Sequence, residues 1–218
     1  MSSFTVYTAI LGSIGDQLHP PVKAAGVDYV AFVEPALAEQ KELQGWQLRP
    51  ARWPRPDRRR QARQHKCLAH ELFPLATYTL WVDGCLTPRQ DLQQMVSRLL
   101  NVADLAMFEH MERNCAYQEV EACLRLRKDD PQLMRDQLAD YRRQGYPHNN
   151  GLAETTAVLR RHTARISEFN QAWWEEIRAK SVRDQLSVDY VCWKLGLRYS
   201  HLEGTRVSSP HFKWRPHR

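Results

Sequence analysis

The chain has 218 residues, 43% of them hydrophobic, and a formal charge of +6 from 31 Lys/Arg against 25 Asp/Glu. Eight of the basic residues and a single acid fall between Arg49 and Lys66, a local +7, which leaves the other 200 residues at −1. A chain this long builds a core without disulfide or metal staples, and one basic stretch in a neutral protein argues against diffuse coating of polyanions and for one anionic partner at one place.

No apolar run approaches the roughly 20 residues that span a bilayer. Met1-Ser2-Ser3-Phe4 lacks the charged and apolar regions of a signal peptide. The five cysteines (Cys67, Cys85, Cys115, Cys123, Cys192) are odd in number, widely spaced and without a CxxC pair, the pattern of reduced structural thiols. Together these features predict a cytoplasmic protein.

In chain order, Phe4 to Leu11 is β-branched and aromatic and breaks at Gly12-Ser13-Ile14-Gly15, which predicts a first strand and a tight turn. Asp28 to Val33 and Thr77 to Val82 read as two further buried strands, the latter ending at Asp83-Gly84. Thr87 as N-cap, Pro88 in the first helical position and Gln90 as a capping-box partner predict a helix with Leu92, Met95, Val96, Leu99 and Leu100 on one face. Asp104 to Phe108 is a fourth strand. Strand and helix alternating in this way predict an α/β fold with a mainly parallel sheet.

The second half is more helical. Asp130-Pro131 opens a helix that a glycine at 145 stops, and Ile166 to Ile177 is helical, whereas Gly151 to Arg161 suits a strand or a short helix. Ser181 to Asp184 reads as a second capping box, opening a helix that ends at Gly196. No repeat or low-complexity linker divides the chain, so a single domain over residues 1–218 is expected, with a Pro/Arg-rich loop over 49–60.

Ligands of open α/β sheets bind beyond the carboxyl ends of the strands. The Gly12 turn there lacks dinucleotide-fingerprint spacing, no GxxxxGK[ST] loop occurs, and a structural turn is its simpler reading. Asp83 ends a hydrophobic strand, where a carboxylate is costly to bury without a cation. Upstream, Arg63 and Lys66 recur at helical spacing on the expected rim of a packed helix. With a divalent cation on Asp83, they would neutralise a diphosphate.

The runs Ala62-Arg63-Gln64-His65-Lys66, Tyr78 to Gly84, Phe108 to Glu119, Asn149 to Thr156 and Arg183 to Ser187 resemble the glycosyltransferase-like domain shared by bacterial proteins and plant Golgi proteins of the mucilage and turgor-regulation type. The resemblance covers about Val6 to Phe212. It implies a GT-A, Rossmann-like domain that transfers a sugar from a nucleotide-diphosphate donor, UDP-sugar favoured, to a hydroxyl acceptor such as a glycan. By the same resemblance, Ala9, Gly12, Arg63, Lys66 and Asp83 would bind nucleotide and diphosphate. Asn149, Asn150, Gly151, His110 and Arg113 would face sugar or acceptor, while Asp184, Gln185 and Glu154 would act in catalysis. Mn²⁺ or Mg²⁺ would sit on Asp83 with His201 or His211, although Trp81 replaces the first acid of the usual Asp-x-Asp pair. Trp173 and Trp174 could stack on a sugar, with at least one in the core. Two other readings compete: a nucleic-acid-binding module built on Arg49 to Lys66, and a transferase that has lost catalysis.

Overall fold

Alternation of side chains along each strand decides which helix layer the strand serves. In the computed structural model, which describes residues 3–12, 18–89 and 92–215, the first half supplies β1 (Phe4–Ile10), β2 (Val27–Val33), α1 (Pro35–Ala38), β3 (Glu42–Leu43), β4 (Trp46–Pro50), α2 (Arg58–Cys67), α3 (Ala69–Leu72), β5 (Tyr78–Val82), β6 (Leu86–Pro88), α4 (Leu92–Leu99) and β7 (Leu105–Glu109). The second half supplies α5 (Ala116–Arg125), α6 (Pro131–Arg143), β8 (Ala153–Arg161), α7 (Ala164–Ala179), a single turn of 3-10 helix (Asp184–Leu186), α8 (Val188–Leu195), β9 (Ser200–His201) and β10 (Phe212–Trp214). Ser13, Ile14 and Gly15 of the first turn, and Gln90, lie outside the described residues.

Eight strands form one sheet in the order β3-β4-β2-β1-β5-β8-β7-β9. β4, β2, β1, β5, β7 and β9 point one way, and β3 and β8 run against them, so the expected mainly parallel α/β sheet is present. Tyr7, Val30, Phe32, Trp81, Leu105, Met107 and Val158 pack on one face, where α2, α5, α6, α7 and α8 lie. Their sequence neighbours Val6, Ala31, Val33, Leu80, Val82, Ala106 and Leu159 pack on the other, against the Leu92, Met95, Val96 and Leu99 stripe of α4. Both faces are covered, the condition under which strands read as continuous apolar runs. Among the described residues no helix is long and apolar enough to cross a membrane.

Several local expectations change. Thr87 and Pro88 do not start a helix: they lie in β6, which pairs antiparallel with β10 through Leu86–Trp214, Thr87–Lys213 and Pro88–Phe212. Strand pairing with residues 212–214 overrides a local capping pattern, and the described part of α4 runs from Leu92. The ambiguous Gly151 to Arg161 segment is β8, settled by pairing with β5 and β7. The supposed 49–60 loop is shorter than expected. Arg49 and Pro50 belong to β4, and Arg58 to Arg60 are already in α2, whose first turn Asp57 caps by accepting from the Arg60 N–H at 3.0 Å. The α6 and α8 stops hold as read, with Gly145 and Gly196 at positive φ.

His65 lies fully buried in α2 between Phe32 and Trp53. Its Nε2 accepts from the Arg52 N–H at 3.0 Å, while Nδ1 sits 2.9 Å from the Gln61 carbonyl and supplies the proton there. Burial lowers its pKa to about 4 from 6.5. The folded state therefore favours the neutral ring, and the unfolded chain takes up the proton first. His65's contribution is complete above pH 6.5 and is lost as pH falls towards 4. Denaturant titrations across that window should show the parent losing about 3 kcal/mol more than His65→Gln, which keeps a side-chain acceptor.

Candidate active site

The end of β5, the start of β8 and the single 3-10 turn meet α2 around a buried ammonium group. Lys66, near the end of α2, has no exposed side-chain surface. Its Nζ lies 3.2 Å from Asp83 Oδ1, 3.2 Å from Thr155 Oγ1 and 2.5 Å from Asp184 Oδ2. Its carbonyl is held as well, by the Tyr7 hydroxyl and by the Arg160 guanidinium, each at 3.0 Å. Arg160 is fully buried against Trp173 and faces the carbonyl end of α2, where the helix dipole favours a cation. The central strands β1 and β8 thus fix the main chain of Lys66, and the sheet edge fixes its head.

Asp83 follows β5 on the Trp81 side, and Trp81 Nε1 donates to its Oδ1 at 2.6 Å. Asp184 sits on the single helical turn; Arg63 Nε lies 3.2 Å from its Oδ1, and the Thr155 hydroxyl donates to Oδ2 at 2.9 Å. Burial alone would raise the Asp184 carboxyl, but Arg63, Lys66 and Arg183 outweigh it and hold the group well below the usual carboxylate range. Arg63 also reaches to 3.8 Å from Asp83 Oδ1 and remains partly exposed. In front of it opens a cavity of about 220 Å³ lined by Ala9, Trp81, Asp83, Arg58, Arg59 and Arg63. Three arginines against one carboxylate give this lining a basic character; Arg58 also pairs with Glu34 at 3.3 Å, and Arg59 donates to the Lys128 carbonyl at 3.0 Å.

The structure sorts the expected residues. Ala9, Arg63 and Asp83 line this cavity, and Gly12 (φ 96°) passes close to Arg58. Lys66 lies beneath it, buried, not on the helix rim as its spacing suggested. The Ser181 to Asp184 capping box does not form: Ser181 donates to Asp129, and the Asp184 carboxylate faces Lys66 and Arg63. Gln185 is buried, and its Nε2 has no hydrogen-bond partner among the described residues. Glu154 is buried and bound by Arg206 at 2.9 Å and by the Thr156 hydroxyl. His110 follows β7; the N–H groups of Glu112 and Arg113 donate to its Nδ1, and burial, outweighing nearby Glu119, lowers its pKa. Arg113 pairs with Glu119 at 2.6 Å. Asn149 and Asn150 are exposed on the turn before β8, with Asn149 and Gly151 at positive φ. Trp173 and Trp174 are both buried in the core, so neither stacks on a sugar.

Sequence reading missed Thr155, Arg58, Arg59 and Arg160. Once β8 is a strand, alternation separates Thr155 from Glu154, and Thr155 faces Lys66. Nothing local marks Arg160 as buried, because its reasons for burial are the end of α2 and Trp173.

The donor chemistry here does not fit a divalent metal. Asp83 Oδ1 already accepts from Trp81 and faces two cations, and an indole occupies the place of a second carboxylate. His201 and His211 lie near Glu109 and Glu203, at 3.8 and 4.0 Å. Among the described residues no three His, Cys, Asp or Glu side chains converge.

The mainly parallel sheet with one reversed inner strand is a GT-A-like fold. The apo bifunctional glycosyltransferase WbbM shares that fold, with a TM-score of 0.52 at 11% identity over 92% of this chain and 38% of that one. The chain belongs to the TOD1/MUCI70 glycosyltransferase-like domain family, which it matches over residues 36–204. It is similar to the probable hexosyltransferase MUCI70 of Arabidopsis thaliana, 30% identical over 66% of this chain and 27% of that protein. It is also similar to the alkaline ceramidase TOD1 of the same plant, 28% identical over 58% of this chain and 30% of that protein. The chain therefore spans less than a third of either relative.

Removing one partner from a buried ion pair strands the other charge. In urea titrations, Asp184→Asn and Lys66→Met should each cost about 3 to 5 kcal/mol. The Lys66→Met/Asp184→Asn double variant should lose clearly less than the sum, because the charge each single variant strands on the other residue is gone.

Proposed function

We propose that this chain transfers a hexosyl group from a nucleoside diphosphate sugar, UDP-linked by preference, to a hydroxyl acceptor on a glycan. The observation that carries the reading is the cradle itself: Arg58, Arg59 and Arg63 around a cavity at the ends of β1 and β5, with Lys66 fixed beneath. Breaking the bond between the anomeric carbon and the phosphate oxygen leaves negative charge on the diphosphate. Preorganised cations at that point stabilise the departing group without reorganising during the reaction. Asp184 and Asp83 keep Arg63 and Lys66 in place, and the unpartnered amide of Gln185 is suited to a sugar hydroxyl. The charge stabilisation falls to these side chains.

The nucleic-acid reading is weakened by how the basic stretch is used. Arg49 packs on Phe73, Arg52 on Trp53, and Arg55 on Trp174 while donating to Gln64. Arg60 donates to the Ile177 and Lys180 carbonyls at the end of α7. Side chains engaged this way do not present a free polycation. One relative is named a ceramidase; a wall of three arginines suits the larger charge of a departing diphosphate better than the single oxyanion of amide hydrolysis.

Calorimetry with UDP tests the reading. Arg63→Ala should weaken binding by about 10- to 100-fold, the scale of one charge-assisted hydrogen bond. EDTA should leave the parent's UDP affinity unchanged. Absence of UDP and GDP binding, alongside tight oligonucleotide binding, would reverse the assignment.

A further inference from the structure

A second and larger cavity, of about 680 Å³, opens on the same edge of the sheet where β8 begins and β7 and β9 end. Neighbouring strands are about 4.8 Å apart, so β9 lies about 14 Å from β5, within reach of a short chain of linked rings. Trp193 of α8 and Tyr199 supply aromatic surface. Trp193 is braced at ring-centroid distances of 5.4 Å from Tyr146 and 6.0 Å from Tyr190, so its indole is held and not loose. Around it stand the carboxylate of Glu109, the amide of Asn150 and the imidazole of His201. Glu109 and His201 are exposed by 73% and 52% of their side chains and lie 3.8 Å apart, so their remaining hydrogen-bonding capacity faces solvent. An apolar ring face beside several donors and acceptors matches the two surfaces of a pyranose. A charged rim does not suit an acyl chain.

This cavity is mechanically tied to the first one. Asp189, buried beneath it, accepts from the Tyr199 hydroxyl at 2.6 Å and from the Ala153 N–H at 2.7 Å. Ala153 opens β8, and two residues further on Thr155 holds Lys66. The wall of the second cavity and the floor of the first are therefore built on one strand.

We propose that this second cavity is the acceptor site and takes a neutral saccharide, stacked on Trp193 with its hydroxyls on Glu109, Asn150 and His201. The proposal rests on the transfer reading, but its test does not need turnover. Saturation-transfer NMR is run with cellotriose, xylotriose and maltotriose on the parent, Trp193→Ala and Glu109→Gln, and UDP affinity is measured separately by calorimetry. At least one trisaccharide should bind the parent. Trp193→Ala should weaken it by about tenfold or more, the scale of losing one aromatic stacking surface. Glu109→Gln, at an exposed position where folding is not at issue, should weaken it too, and both variants should keep the parent's UDP affinity. No saccharide binding, binding indifferent to both variants, or binding of sphingosine in place of any saccharide would overturn the proposal. Loss of UDP binding in the parent would instead strike the transfer reading, leaving the saccharide result to judge the cavity by itself.

Discussion

The ammonium of Lys66 has no exposed surface, and three elements converge because it must be satisfied. A charge taken out of water is tolerated only when opposite charge and hydrogen bonds surround it. Asp83 comes from the end of β5, Thr155 from β8 and Asp184 from the turn before α8. These segments are far apart in the chain and meet only if the sheet is assembled in its observed order. The same constraint holds Arg63 towards the cavity, since Asp184 takes Lys66 on one oxygen and Arg63 on the other. Stability and the shape of the cavity wall therefore rest on the same five groups, Lys66, Asp83, Thr155, Asp184 and Arg63.

That arrangement bears on how the site handles charge. Asp83 and Asp184 balance Lys66 and Arg63, so the cations of the cavity wall beyond that balance are Arg58 and Arg59. An indole at residue 81 makes sense in this setting. It covers the Lys66 stem, with Nζ 5.7 Å from the ring, and donates to Asp83 where a second acid would have demanded another cation. β8 carries this chemistry sideways along the edge. One strand supplies Thr155 to the first cavity and, through Asp189, anchors the wall of the second.

The basic stretch that dominates the charge of the chain divides by address. Residues from Arg49 to Arg55 stack on Phe73, Trp53 and Trp174, and Arg60 closes the end of α7, so these cations work as amphipathic packing. Arg58, Arg59 and Arg63 reach the cavity because they fall on the α2 face turned to the ends of β1 and β5. A local +7 is therefore divided between packing and the lining of one cavity, where Arg58 also meets Glu34 and Arg59 the Lys128 carbonyl.

The sequence by itself determined the α/β class, the main strands and the residue types that line the first cavity. Apolar alternation and Asp-Gly at a strand end are local signals, and Arg63 and Lys66 share a helix whatever surrounds it. It also determined the stops at Gly145 and Gly196, where only backbone freedom is at issue. Tertiary structure decided what depends on partners distant in the chain. Thr87 and Pro88 became a strand because β10 pairs with them. Asp184 turned from a helix cap into the counter-charge of Lys66, and Trp173 and Trp174 went inside, because long-range packing outweighs a capping preference worth about 1 kcal/mol. Burial of Arg160 and Lys66 could not be read locally. The energy that permits a buried cation belongs to groups the chain brings together only when the sheet has closed.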